Sequence, residues 1–146
     1  NNKNINKIDM ILSDTHFSIY NSFDRKDLFN KLKNNNNIHF IEEKKKFTEI
    51  FKLYNNYKFV LSPMGMGLDC HRTWECFLAG AIVITKSSPL DDMYIENDLP
   101  VVLIKDWDEL NENINEKMND WYDRFKSSTV YDNIINKLRF KYWLDK

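Results

Sequence analysis

Glycine and proline are scarce: three of each in 146 residues. That excludes collagen-like and Gly/Pro-rich linker classes, and it makes each glycine a marker for a tight loop or helix end. The two cysteines, Cys70 and Cys76, are too few for a disulfide framework. With His71 they do not make the spacing of a zinc motif either. Free thiols imply a reducing compartment, so a cytoplasmic location is expected. No apolar run approaches the roughly 20 residues of a membrane span, and Asn1–Lys7 lacks the apolar core of a signal peptide. Charge of one sign is missing as well. With 21 basic and 22 acidic residues the net charge is −1, which argues against a nucleic-acid partner and its basic footprint.

Hydrophobic residues make up 42% of the chain and aromatics 14%, enough to bury a core. Asn1–Lys7 reads as a linker, and residues 8–146 as one domain of a longer polypeptide. Short apolar runs predict strands at Ile8–Leu12, Ile38–Ile41, Lys58–Leu61, Ala81–Thr85 and Pro100–Lys105. Between them lie helical patterns. Leu28, Phe29 and Leu32 follow Asp24, which stands as an N-cap. Phe47, Ile50, Phe51 and Tyr54 keep helical spacing. A long helix is expected from Asp106, with Leu110, Ile114, Met118, Trp121 and Phe125 as its stripe. A last helix is expected from about Thr129 to Leu144. Apolar strands alternating with helices imply a Rossmann-like, doubly wound parallel sheet of about five strands with helices on both faces. The expected strand order is 3-2-1-4-5.

The stretch Phe59–Tyr94 carries the chemistry. A strand ends at Ser62-Pro63, a loop follows with Gly65 and Gly67, then a helix with Arg72 and Glu75, then Gly80 and another strand. In open α/β sheets ligands sit outside the carboxyl ends of the strands. Glycines there let backbone N–H groups approach an anion, and a helix N-terminus adds its positive end. Arg72 supplies a guanidinium fork for phosphate oxygens. Glu75 stands on the same helix face, while Trp74, Phe77 and Leu78 form the opposite, apolar face. Gly65-Met66-Gly67 followed by Leu68-Asp69-Cys70 does not complete the dinucleotide GxGxxG pattern, and the Walker lysine is absent.

Ser62-Pro63-x-Gly65-x-Gly67-Leu68-Asp69-x-x-Arg72-Thr73-x-Glu75, with Gly80–Ile84, Ser88-Pro89-Leu90, Leu99–Ile104 and Asp106-Trp107, resembles the donor-binding half of exostosin-like glycosyltransferases. The likeness spans about Lys58–Leu110 and, more faintly, Phe17–Arg25. It implies a GT-B enzyme, with two Rossmann-like domains facing across a cleft. This chain would bind a nucleoside diphosphate sugar, and an acceptor domain would lie elsewhere in the parent polypeptide. By that resemblance Glu75 binds the donor ribose, and Arg72, His71, Gly65 and Gly67 hold the diphosphate with Arg25 as a second ligand. Asp69, Ser87 and Ser88 are candidates for the sugar pocket. No cofactor and no metal are expected. Gly67 stands where many GT-B donor sites carry the first acid of a Glu pair.

Asp106-x-Asp108 has metal-motif spacing, but Glu109 completes an Asp-x-x-Glu capping box, which is the reading preferred here. Asp91-Asp92 is expected as a helix start or loop acid. The alternative function is a non-catalytic Rossmann-like module that makes protein contacts in a larger assembly. A flavodoxin-like or receiver-type domain is a third reading, with only Asp14 behind its first strand to support it.

Overall fold

The computed structural model describes residues 7–14, 23–41, 43, 45–63, 71–129 and 131–138. Five strands form one all-parallel sheet: β1 (Ile8–Ser13), β2 (Ile38–Phe40), β3 (Tyr57–Leu61), β4 (Ile82–Lys86) and β5 (Val101–Ile104). The helices are α1 (Phe23–Leu32), α2 (Phe47–Asn56), α3 (His71–Leu78), α4 (Asp91–Glu96), α5 (Ile114–Phe125) and α6 (Tyr131–Leu138), with a 3-10 helix at Trp107–Asn111. The chain is thus a Rossmann-like α/β domain, as its alternating apolar runs predict.

The strand order is β2-β1-β3-β4-β5, not 3-2-1-4-5. Burial explains the difference. Phe59, Val60 and Leu61 of β3 are completely buried, so this strand needs a neighbour on each side and a helix on each face. β2 has only three residues, and His39 at its centre is exposed. The short, half-polar strand takes the edge and the fully apolar one goes inside.

Two hydrophobic layers cover the sheet. On one face Ile11, Phe59, Leu61, Ile82, Ile84, Val102 and Ile104 meet Leu28 and Leu32 of α1, Trp107 and Leu110 of the 3-10 helix, and Ile114, Met118 and Phe125 of α5. On the other, Leu12, Val60 and Val83 meet Tyr54 of α2, Cys76 and Phe77 of α3, Tyr94 of α4 and Ile134 of α6.

Three local expectations change, and the capping box expected at Asp106 holds. The helix expected from Asp106 is two elements: after the 3-10 turn Glu112 is extended and Asn113 is left-handed, with φ 48°. Asn tolerates that region, so the chain can re-aim before α5 starts. Asp106 accepts a bond from the Asp108 N–H while Glu109 accepts from the Asp106 N–H, so the acidic motif is a capping box. On α3 the buried residues are Thr73, Cys76 and Phe77, with Trp74 half-buried and Leu78 at the surface. Thr73 and Cys76 take core positions that Trp74 and Leu78 were expected to fill. In α2 only Tyr54 is fully buried, and Phe47 is exposed against Phe51.

Gly80 closes α3. Its N–H donates to the Phe77 carbonyl at 3.0 Å and the Ala81 N–H to the Cys76 carbonyl at 3.0 Å, with Gly80 at φ 75°. That is the Schellman pattern, whose left-handed residue is usually glycine. Lys7, the last residue of the linker-like segment, reaches the same place. Its ammonium donates to the carbonyls of Asn55 at 2.7 Å and Ala79 at 3.0 Å.

Candidate functional site

From β2 the chain returns past β1, and β3, β4 and β5 then extend the sheet the other way. β1 and β3 are therefore the pair at which the winding reverses. The crevice at their carboxyl ends is where an open α/β sheet binds ligands. Two apolar strands deliver polar residues to this point. Ser13 and Asp14 follow the apolar part of β1, and Ser62 follows β3; all three are buried.

Asp14 and Ser62 each make defined hydrogen bonds at this crevice. The Tyr54 hydroxyl donates to Asp14 Oδ2. Ser62 Oγ lies 2.9 Å from Thr73 Oγ1. The Ser62 N–H donates to the Ile84 carbonyl at 2.9 Å, and the Ser62 carbonyl accepts from Thr85 Oγ1 at 2.8 Å. Buried polar atoms held this way form a rigid floor beneath the start of α3.

The sequence-predicted site residues that are described lie on elements that meet this edge. His71 and Arg72 occupy the first turn of α3, with its N-terminus at the crevice; their side chains lie outside the described residues, as do Gly65, Gly67 and Asp69 altogether. Glu75 is half-buried one turn further along α3. Arg25 is half-buried in the first turn of α1, which also starts from the carboxyl edge. Ser87 and Ser88 follow β4 on the same edge, but they build the turn into α4. Ser87 Oγ donates to Asp91, the Ser88 N–H donates to Asp91 Oδ1 at 2.8 Å, and Ser88 Oγ accepts from the Leu90 N–H at 3.1 Å. Asp91 is thus part of a helix start, one of the two roles expected for it.

A second cluster on this edge is not legible from the motif. Asp24, expected as a cap, lies inside α1 and is buried. Its Oδ1 accepts from Trp107 Nε1 at 3.0 Å and from Lys86 Nζ at 3.1 Å. Lys86 lies 6.0 Å from the Trp107 ring centroid. The cluster ties α1, the end of β4 and the 3-10 helix together beside the crevice. The only sequence signal for it is position: Lys86 stands at the carboxyl end of an apolar run.

A groove of about 310 Å³ runs along the outer edge of β5, lined among others by Ile95, Leu99, Leu103, Trp121 and Arg124. It is remote from the β1/β3 crevice. Among the described residues, no group of three His, Cys, Asp or Glu is placed to hold a metal, and no helix is long and apolar enough to cross a membrane. No protein-family model matches the chain, and no curated protein matches it.

Proposed function

We propose that this domain binds the nucleoside diphosphate sugar of a glycosyltransferase that transfers a glycosyl group to an acceptor hydroxyl. The observation that carries this reading is where the motif falls. The span Ser62–Glu75 leaves the inner strand β3 at the winding reversal and enters α3, whose N-terminus begins at His71. In this reading the Gly65–Gly67 loop and Arg72 hold the diphosphate, Arg25 supports it from α1, and Glu75 takes the ribose diol. A bound diphosphate gains from the helix N-terminus and the guanidinium together. Positive groups around the leaving diphosphate are what transfer requires on the donor side. An acceptor-side base would come from a second domain of the parent polypeptide.

Calorimetric titration with uridine and guanosine diphosphates and their sugars tests the reading. Binding in the micromolar to millimolar range is expected, weakened by Arg72→Ala with the fold intact. Absence of binding at millimolar ligand overturns it.

The strand order favours one second reading. The arrangement 2-1-3-4-5 is that of flavodoxin-like sheets, which hold a flavin mononucleotide at the same β1/β3 position. A flavin absorbance band on the purified protein, or on protein mixed with flavin mononucleotide and desalted, would replace the donor-sugar reading.

A further inference from the structure

We propose that Lys7 is a pH-responsive clasp that ties the segment entering β1 to the carboxyl ends of α2 and α3, and through α3 to the ligand edge. The geometry is specific. Lys7 Nζ donates to the carbonyls of Asn55 at 2.7 Å, Ala79 at 3.0 Å and Tyr54 at 3.5 Å. These carbonyls belong to the last turn of α2 and to the residue after α3, where helix dipoles present their negative ends. Lys7 packs against this helix end: a Cβ on Gly80 would stand 3.8 Å from Lys7 Cε and Nζ, at ordinary contact distance. One ammonium, with its three donors, therefore serves two helix termini at once.

The groups that face it are few. α2 presents the Tyr54 and Asn55 backbone carbonyls. α3 presents the Ala79 carbonyl and the buried Cys76 thiol, the titratable side chain that acts on Lys7 electrostatically. The connection into α6 presents the Thr129 carbonyl, beside Gly80. No described carboxylate pairs with the ammonium. Burial consequently pushes Lys7 down to about 8, from 10.5. Deprotonation removes the charge and one of the three donors, so both helix ends lose their cationic cap. α3 is eight residues long, about 12 Å at 1.5 Å per residue. A change at Ala79 therefore lies one short rigid element from His71 and Arg72.

The test is an NMR pH titration from pH 6.5 to 9.5. It follows the backbone amides of Ala79–Ala81 at one end of α3 and His71–Thr73 at the other, in wild type, Lys7→Arg, Lys7→Met and Cys76→Ala. Both groups of amides should move with a shared midpoint near 8 in wild type and Cys76→Ala, and in neither Lys7 variant. A transition that persists in Lys7→Arg overturns the clasp. A transition confined to Ala79–Ala81 overturns its coupling to the ligand edge. Uridine diphosphate affinity, measured at pH 7 and 9, supplies a second readout that rests on the donor-binding reading. It should fall roughly two- to fivefold in wild type, the size expected when a charge leaves a helix C-terminus, and stay constant in Lys7→Arg. No binding at either pH sinks the donor-binding reading, while the amide titration still decides the clasp.

Discussion

The hydroxyls of Ser62 and Thr73 meet at 2.9 Å and close the connection from β3 to α3 at its base. Both residues are buried, so the bond fixes where the candidate loop leaves the sheet and where it re-enters the fold. Ser62→Ala and Thr73→Val should each cost about 1 kcal/mol. The double variant should cost less than the sum, because the two changes remove one shared interaction. Urea unfolding of the four proteins measures this. Strict additivity would mean the two hydroxyls act independently.

Trp107 is completely buried and gives its indole N–H to the Asp24 carboxylate. Trp107→Phe keeps most of the ring and removes the donor, leaving that carboxylate with one neutral hydrogen-bond donor fewer in a buried setting. A loss of about 1–3 kcal/mol is expected, read as a shift in the denaturant midpoint. A change within a few tenths of a kcal/mol would show that Asp24 is satisfied without the indole.

Gly80 has φ 75°, while the space for a Cβ is ordinary, with the Thr129 carbonyl oxygen 3.5 Å away. Conformation, not crowding, should set the cost of substitution. Gly80→Ala should lose about 1–2 kcal/mol, and Gly80→Asn less, since asparagine accepts the left-handed region. Equal losses for both would point to crowding instead.

Lys7 also makes stability depend on pH. Its folded value of about 8 lies below the ordinary 10.5, so between these values the unfolded chain binds a proton that the fold does not. Stability must therefore rise with pH across that window. The wild-type thermal midpoint, compared with that of Lys7→Met, should improve from pH 8 towards 10. A falling difference would contradict the burial of the ammonium.

The Lys31–Asp106 pair acts at the acid end. Lys31 Nζ donates to both Asp106 oxygens, at 2.9 and 2.8 Å. The Lys31 hydrogen bond, with the Asp108 N–H second, holds the Asp106 carboxyl below its usual value of 3.8. A depressed carboxylate contributes stability above its unfolded value and loses it as pH falls through the folded value. Asp106→Asn should lower stability near neutrality and flatten the decline below about pH 4, as followed by acid titration of circular dichroism. The effect should be small, since exposed ion pairs are weak.

Much of the fold was legible because burial writes itself into composition. The apolar runs of β1, β3, β4 and β5 are strands, and of the expected stripe Leu110, Ile114, Met118 and Phe125 are buried, with Trp121 half-buried and Leu110 on the separate 3-10 turn. The capping box at Asp106 was legible too, because both of its bonds are local. Non-local partners were not. Nothing near Asp24 announces Trp107 or Lys86, and nothing near Lys7 announces the ends of α2 and α3. On α3 the choice of face shifted because Phe77 fits two helical stripes, and packing against the sheet selected the one with Thr73 and Cys76.

By itself the sequence determined an alternating α/β chain with apolar strands, the glycine at the end of α3, and polar residues following β1 and β3. Hydrophobic period and backbone freedom are local properties, so residue order suffices to fix them. Tertiary structure decided the strand order, and with it the meaning of those polar residues. Only when β3 is paired beside β1 do Asp14 and Ser62 come together at one crevice, with α3 starting above them. Strand pairing between distant segments depends on which neighbours bury both faces of β3, a global condition that no local window contains.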